Sequence, residues 1–504
     1  MTKNPIKALA QQTVVYGMGT IIPRLLNYLL VPLYVRVFAS GEYGQITDLY
    51  SWMALLMALL TYGMETTFFR YAEKIDSHKA FSNAQTSIIL TTSIFLVVFA
   101  FIHPAFARLI HYSDKSIYVL MMGIIVALDA LTAIPFARLR KEKKAIRFST
   151  IKVFNVGLNI GLNLLFLVAI PETSQRWAQN IFGPGSSQLI WVFVSNIASS
   201  LLSLILLLPQ ITDITLKLQR EIIKPMLRYA WPILLIGLVG MVNEVSDKIL
   251  IKYLITIPDS YTLAQLNMTP DEYALSQLGI YGANYKLAVL MTIFIQMFRY
   301  ASEPFFFSHA KDKNAPTLYA KVMTYFVIFC LIIFLGITLY MDILKYFVGR
   351  GDSDYQEGIS IVPIILIANM FYGIVFNLSI WFKLSDKTTS GAIISTIGGA
   401  MTLISLFILV PIMGYKGAAW AHLICYTIMM TISYLWGQKV LPIPYQVGRI
   451  AIYSVITILI YLVSQQFESF SIVLRLCCNT ILLLIFLATV ILAERRNPLK
   501  TQTK

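Results

Sequence analysis

The sequence predicts an all-α polytopic membrane protein of about 14 transmembrane helices, each about 20 residues long to cross a hydrocarbon core about 30 Å thick. Three observations carry that expectation. Apolar stretches of spanning length recur from Val14 to Leu492. Hydrophobic residues make up 57% of the 504 and charged residues only 13%. The polar segments between the stretches alternate between lysine- and arginine-rich and acidic or neutral, the pattern that topology imposes on a multi-pass chain. A soluble chain does not fit this composition.

The first expected span, 14–37, follows a short, weakly basic lead from Met1 to Gln12 that has no small-residue cleavage site, so it reads as an uncleaved helix. Spans 46–67, 84–106 and 116–137 come next, and the fourth ends on the basic run Arg138 to Arg147. Span 149–170 stops at Pro171, and the polar insertion to Gln188 separates it from span 189–209. Gln210 to Arg228 leads into span 229–254, and Pro258 to Gln277 leads into span 277–299. Spans 318–340, 359–382, 390–411 and 417–437 complete the second half, and 449–465 with 471–492 form a final pair. The polar insertions are too short to fold independently. Any chemistry must therefore sit among the helices.

A net charge of +15 would suit a nucleic-acid binder, but its distribution argues otherwise. With the N-terminus cytoplasmic, about 28 of the 40 Lys+Arg fall on the cytoplasmic side, which is the positive-inside asymmetry. The run Arg138 to Arg147 is its strongest piece, and contact with anionic headgroups is compatible with it. Nucleic acid is not an expected partner; membrane lipids are. Both termini are expected on the cytoplasmic side of the membrane. Cys330, Cys425, Cys477 and Cys478 all lie in apolar stretches, so no disulfide is expected.

An internal repeat organises the spans. Tyr43-Gly44 and Tyr281-Gly282 each open the second helix of a pair, and 22 residues after each tyrosine stands a glutamate in Glu-x-x-Phe-Phe, at Glu65 and Glu303. In the preceding helix, Asn27 and Arg36 share their spacing of nine with Asn243 and Lys252. Six spans separate the copies, an even offset that gives both halves the same orientation, as parallel repeats of transporters have. The expected domains are 1–220 with helices 1–6, 221–440 with helices 7–12, and 441–504 with the last pair and a cytoplasmic tail.

Ionisable groups within spans are expensive, and each is a candidate site. Arg24 lies about 18 Å along the helix from Arg36, near the midplane, where its fork of donors suits an anion. Asn27 can share its face, and the alternative is a pair with Asp48 or Asp129. Glu244, Asp247 and Lys248 fall on one helical face, either as a self-neutralising set through Glu244 and Lys248 or as a titratable cluster. Lys286 occupies the repeat position of Asp48 and could meet a phosphate or pair with Asp247. Lys252 is near a helix end and is expected to snorkel. Glu65, Glu303 and Arg299 read as a gate or loop contact near the cytoplasmic surface rather than as substrate binders, and Arg299 and Glu303, four apart, can pair within one turn. Asp129 is the lone carboxylate best placed for proton or cation coupling, or it holds a structural hydrogen bond to a serine. The chain has no His-Glu-x-x-His and no Cys-x-x-Cys, and its five histidines are dispersed. Neither an enzyme nor a metal site is expected.

With the repeat and Arg24 in hand, the chain resembles the polysaccharide flippases of the multidrug/oligosaccharidyl-lipid/polysaccharide exporter superfamily, most closely the Wzx-type carriers of lipid-linked O-antigen or capsule units. The strongest piece runs from Arg24 through Asn27-Tyr-Leu-Leu-Val-Pro-Leu-Tyr-Val-Arg36 to Tyr62-Gly-Met-Glu65-Thr-Thr-Phe-Phe-Arg70. The resemblance implies two pseudo-symmetric six-helix lobes in a V around a cationic cavity, with two C-terminal helices lining a groove for a lipid tail. The implied cargo is a polyprenyl-diphosphate-linked oligosaccharide, moved from the cytoplasmic to the outer leaflet by alternating access for lipopolysaccharide or other surface polysaccharide. Binding of the diphosphate is carried onto Arg24, with Lys248 and Lys286 behind it. Glu244 and Asp247 depart from a purely cationic cavity. No cofactor is implied beyond proton or sodium coupling, and a polysaccharide polymerase and export machinery are the implied partners. The rivals are a multidrug or organic-cation antiporter of the same superfamily, a membrane glycan polymerase or ligase, and a non-transporting scaffold.

Overall fold

The computed structural model describes residues 21–496 except 213, 311, 350–353 and 386. All regular structure within them is helical: α1 (21–28), α2 (Leu30–Val37), α3 (Ser40–Thr61), α4 (Met64–Tyr71), α5 (Ser77–Leu109), α6 (Ser116–Lys141) and α7 (Ala145–Leu164) open the chain. A π-turn over Leu165–Ala169, α8 (Pro171–Phe182), α9 (Ile190–Ile211), α10 (Arg220–Leu254) and α11 (Ser260–Leu266) follow. Then come α12 (Pro270–Leu287), α13 (Val289–Ser308), α14 (Ala315–Thr338), α15 (Met341–Val348) and a 3-10 helix over Asp354–Ile361. The chain closes with α16 (Val362–Leu378), α17 (Ile380–Leu384), α18 (Thr388–Met413), α19 (Tyr415–Val440), α20 (Val447–Gln465) and α21 (Ile472–Arg496).

Among the described residues, twelve helices are long and apolar enough to cross a membrane, and α12 with α13, bent by 47°, add a thirteenth if the pair is one broken span. The remaining expected span, 14–37, begins outside the described residues. The protein is a multi-pass membrane protein in which backbone donors and acceptors are satisfied within each helix, as a bilayer demands. Local chemistry sets many helix ends. Asp76 caps α5 by accepting from the Lys79 backbone N–H at 2.9 Å, Pro171 opens α8, and Gly414 turns the chain between α18 and α19. Three residues past that turn, a Cβ at Gly417 would strike the backbone carbonyl of Leu409, so only glycine permits the close start of this helix hairpin.

The chain divides into two compact units, one of Met1–Lys252 with Pro258–Ser276 and one of Tyr253–Ile257 with Gln277–Lys504. In the first, α6 is the central helix, packed by α3, α5, α7 and α9. The second span of this unit breaks at Tyr62 and Gly63, whose φ values of 35° and 68° are left-handed. A Cβ on Gly63 would come within 2.7 Å of the Ile233 side chain and 3.2 Å of the Ala230 carbonyl, so the break lets α10 approach closely.

In the second unit, α19 packs on α16 and α18, and α14 packs on α16 and on the last pair, α20 and α21. That last pair is tied to α14 at both of its ends. Toward the middle of α14, Glu494 of α21 accepts from Tyr453 at 2.8 Å and Tyr325 at 3.4 Å and lies 3.4 Å from Arg449. At the far end, Arg475 of α21 holds the Asp342 carboxylate through two N–H groups, and Asn479 donates to the Leu339 carbonyl at 2.7 Å. These contacts fix the pair as part of its unit.

Candidate functional site

The charges expected to be costly inside spans are mostly paired. Asp48, on α3, is fully buried, and its carboxylate accepts from Lys252 at the end of α10 and from the Tyr112 hydroxyl at 3.0 Å. Lys252 also donates to the Ile110 carbonyl at 2.8 Å and lies 4.6 Å from the centre of the Tyr112 ring. The expected snorkelling of Lys252 is therefore incorrect: only 6% of it is exposed, because a buried carboxylate stands where its stem would otherwise carry it outward.

Asp129 of α6 accepts from Ser200 of α9 at 2.7 Å, the serine bond weighed against a coupling role. It belongs to a polar seam through the first unit. Asn155 of α7 donates to the Ser199 carbonyl and to Ser203 at 2.8 and 2.9 Å. Asn196 donates to Tyr50 at 2.9 Å, and Tyr34 to Asn163 at 3.1 Å. Lys152, one helical turn from Asn155, lies within electrostatic range of Asp129 and 4.1 Å from the centre of the Phe136 ring. Sequence reasoning passes over Lys152, although a base within an apolar span is the same signal that singles out Arg24.

Arg24 and Asn27 lie on the exposed side of α1, with Pro23 buried behind them. Lys286 is half-buried on α12. On α10, Lys248 reaches the Asp247 carboxylate at 3.0 Å and the Glu244 backbone carbonyl at 3.1 Å. The carboxylate that neutralises Lys248 is thus its neighbour Asp247 and not Glu244, because Asp247 is fully buried and Glu244 points to the exposed side.

The two glutamates of the repeat are held alike. Glu65 pairs with Arg140 at the end of α6 at 2.5 Å, and Glu303 pairs with Lys383 of α17 at 2.7 Å. Counting spans, each glutamate of a second helix meets a base at the end of the fourth. Of the partners open to Glu303, it is Lys383 rather than the Arg299 that spacing allows which takes the carboxylate, and Arg299 lies over the Phe376 ring at 4.7 Å. The aromatic positions repeat too. Phe68 packs edge-on against Phe81 and Phe306 edge-on against Tyr319, each pair 13 residues apart. Neither partner was singled out from the sequence.

The basic run after α6 is also engaged within the first unit. Lys141 reaches Glu73 at 2.8 Å and the Ala72 carbonyl at 2.6 Å, while Arg138 reaches Glu142 at 2.7 Å and the Gln210 carbonyl at 2.8 Å. Outside the spans, the hydrogen bond from Lys141 holds the Glu73 carboxyl below its ordinary range.

In the second unit, a mostly apolar groove of about 260 Å³ runs between α14, α16, α19 and α20, lined by Val327, Met370, Phe371, Met430, Tyr434 and Ile450 among others. Its wall along α20 belongs to the first helix of the final pair.

No curated protein sequence matches the chain. Among solved structures, the lipid II flippase MurJ in an inward closed conformation is similar at 14% identity, with a TM-score of 0.73 over 96% of this chain and 99% of that one. An inward-facing multidrug resistance MATE family transporter of the MOP superfamily is similar at 12% identity, with a TM-score of 0.60 over 85% of this chain and 97% of the other. An outward-facing MATE transporter gives 15% identity and a TM-score of 0.57 over 87% and 96%. Likeness at this level establishes a common fold. A sequence model of the polysaccharide biosynthesis proteins matches residues 9–310, more than half of the chain, and the protein belongs to that family.

Proposed function

We propose that the protein is a flippase that carries a polyprenyl-diphosphate-linked oligosaccharide from the cytoplasmic to the outer leaflet of a bacterial inner membrane by alternating access. The observation that carries this reading is how far the fold likeness extends. A lipid II flippase aligns over 96% of the chain and the multidrug transporters over 85% and 87%, so the lipid-carrying relative accounts for more of the molecule. The family supplies the polysaccharide context. The groove beside α20 supports an apolar tail, since a chain of isoprene units asks for a wall without buried polar groups. Arg24, exposed on α1, is assigned the diphosphate, with Asn27, Lys286 and Lys248 as weaker contributors. Lys248 is weakest, since Asp247 already holds it. Asp129 keeps both roles, a structural bond from Ser200 and coupling through release of that bond, and the pair of Glu65 with Arg140 and that of Glu303 with Lys383 are assigned to the cytoplasmic gate.

The second reading is an organic-cation antiporter, supported by the fold likeness to the MATE transporters and by the carboxylates of the first unit. One comparison separates the two. In vesicles containing the purified protein and a fluorescent lipid-linked oligosaccharide, Arg24→Ala is expected to abolish translocation while leaving the amount and melting temperature of the protein unchanged. Full translocation by the variant removes Arg24 from the site, and saturable uptake of organic cations without lipid movement establishes the antiporter instead.

A further inference from the structure

Where α14 passes into α15, the second unit contains a cavity of about 410 Å³ that the cargo reading leaves unused. Its size falls in the roughly 300–1,000 Å³ range of small-molecule sites. Beside the hydroxyls of Thr338, Ser360 and Ser464, the charged and amide groups of its described wall are Asp342, Lys345, Gln465, Glu468, Arg475 and Asn479, contributed by α15, the end of α20, the turn after it and α21. Among the described lining residues two acids face two bases, so that part of the wall carries no net formal charge.

The detail of the wall decides what it can hold. Arg475 has already committed its fork of donors to Asp342, and Lys345 stands 3.8 Å from the same carboxylate. An anion would have to compete with Asp342 for both bases. Asn479 is only 4% exposed, and while its Nδ2 donates to the Leu339 carbonyl at 2.7 Å, its Oδ1 is buried without a partner among the described residues. A buried acceptor in that state calls for a donor from whatever fills the cavity. Gln465 and Glu468 are exposed at the rim, adding acceptors and an amide donor. Tyr461, packed edge-on by Phe334 at 5.8 Å, supplies an aromatic wall.

We infer that this cavity is a carbohydrate subsite that takes an uncharged, hydroxylated sugar ring, with Asn479 Oδ1 accepting from one hydroxyl and Gln465 and Glu468 engaging its neighbours. Sugar hydroxyls donate and accept at once, and a wall of alternating acceptors and donors with no net charge matches them as it matches neither phosphate nor a cation. The ring's C–H face would lie against Tyr461. The inference rests on the reading that the cargo carries an oligosaccharide, and the sugar can come from that cargo or from a free glycan.

Saturation-transfer NMR on the full-length protein in nanodiscs tests it, using as probe the repeat-unit oligosaccharide released from the surface polysaccharide of the cells that make the protein. Saturable binding is expected, with at least a tenfold loss of affinity in Gln465→Ala combined with Glu468→Ala, two rim residues whose removal spares the helix contacts. Asn479→Ala is expected to lose as much, with a melting temperature within a degree or two of the parent for the rim variant. Inorganic phosphate is expected not to displace the sugar. Absence of saturable binding, unchanged affinity in the rim variant, or displacement by phosphate overturns the assignment.

Translocation by the rim variant identifies the source of the sugar: slower lipid movement means the cargo's own glycan, and unchanged movement with lost sugar binding means a free one. Arg24→Ala is expected to keep sugar binding here while losing translocation. Failure at this cavity and failure of the flippase reading therefore give different results.

Discussion

Asp48 and Lys252 face the cost of taking charge out of water, and each is affordable only because of the other. Breaking a buried pair by removing one member costs about 3–5 kcal/mol, whereas replacing both by apolar side chains is often neutral. Asp48→Ala or Lys252→Ala is therefore expected to lower the thermal stability of the purified protein by several degrees or more. Asp48→Leu combined with Lys252→Met is expected to recover most of the loss. A single variant as stable as the parent would show that the carboxylate and the ammonium do not depend on each other. The individual charges were legible in the sequence because hydropathy exposes them, but their partners were not. Asp48 and Lys252 lie 204 positions apart, and nothing local in either helix names the other. Glu303 shows the opposite case, since helical spacing offers Arg299 while a separate helix delivers Lys383 at 2.7 Å.

At the scale of elements, the break at Tyr62-Gly63 and the basic run after α6 have testable consequences. Gly63 combines a left-handed φ with a close approach of Ile233, so Gly63→Ala pays a conformational cost of about 1–2 kcal/mol before the clash is counted. Its melting temperature is expected to fall, and a variant that melts with the parent would mean that α10 yields freely. The contacts of the run after α6 make it a candidate intramolecular latch, beside the topology signal expected of it. Because Lys141 depresses the Glu73 carboxyl, their contact contributes fully above the ordinary glutamate range and is lost as pH falls through the depressed value. Proteolysis at the connection between α4 and α5 is expected to accelerate on acidification in the parent, and Lys141→Gln is expected to show the faster cleavage already at neutral pH. Equal cleavage rates for the two proteins at neutral pH would exclude the latch. Helix existence was largely legible because spanning hydropathy is strong. Breaks such as that at Tyr62 and short elements such as α8 and α15 were not, since they arise from contacts with other helices.

For the whole molecule, the repeat read from Tyr-Gly and Glu-x-x-Phe-Phe extends further than its letters. Phe81 and Tyr319 share a role without sharing an identity, as do Arg140 and Lys383, because a T-shaped ring contact and a carboxylate each accept more than one residue type. A search for identical residues misses both. The distribution of Lys and Arg predicts the orientation in the membrane. In a variant without native cysteines, Lys143→Cys is expected to react with a membrane-impermeant maleimide only after permeabilisation, and Ser471→Cys is expected to react in intact cells. The reverse pattern inverts the topology and with it the direction proposed for the cargo.

The ion pair at Asp48 also imposes an order on the making of the protein. Ribosomes add about 5–20 residues per second, so the 204 residues that separate Asp48 from Lys252 take about 10–40 s to appear. For that interval the second span resides in the translocation machinery or the bilayer with an acid whose base has not yet been synthesised. The first half of the chain is therefore not a finished module when its sixth span leaves the ribosome. Its assembly waits for the seventh, and a nascent chain arrested before Lys252 is expected to be a substrate for membrane quality-control proteases.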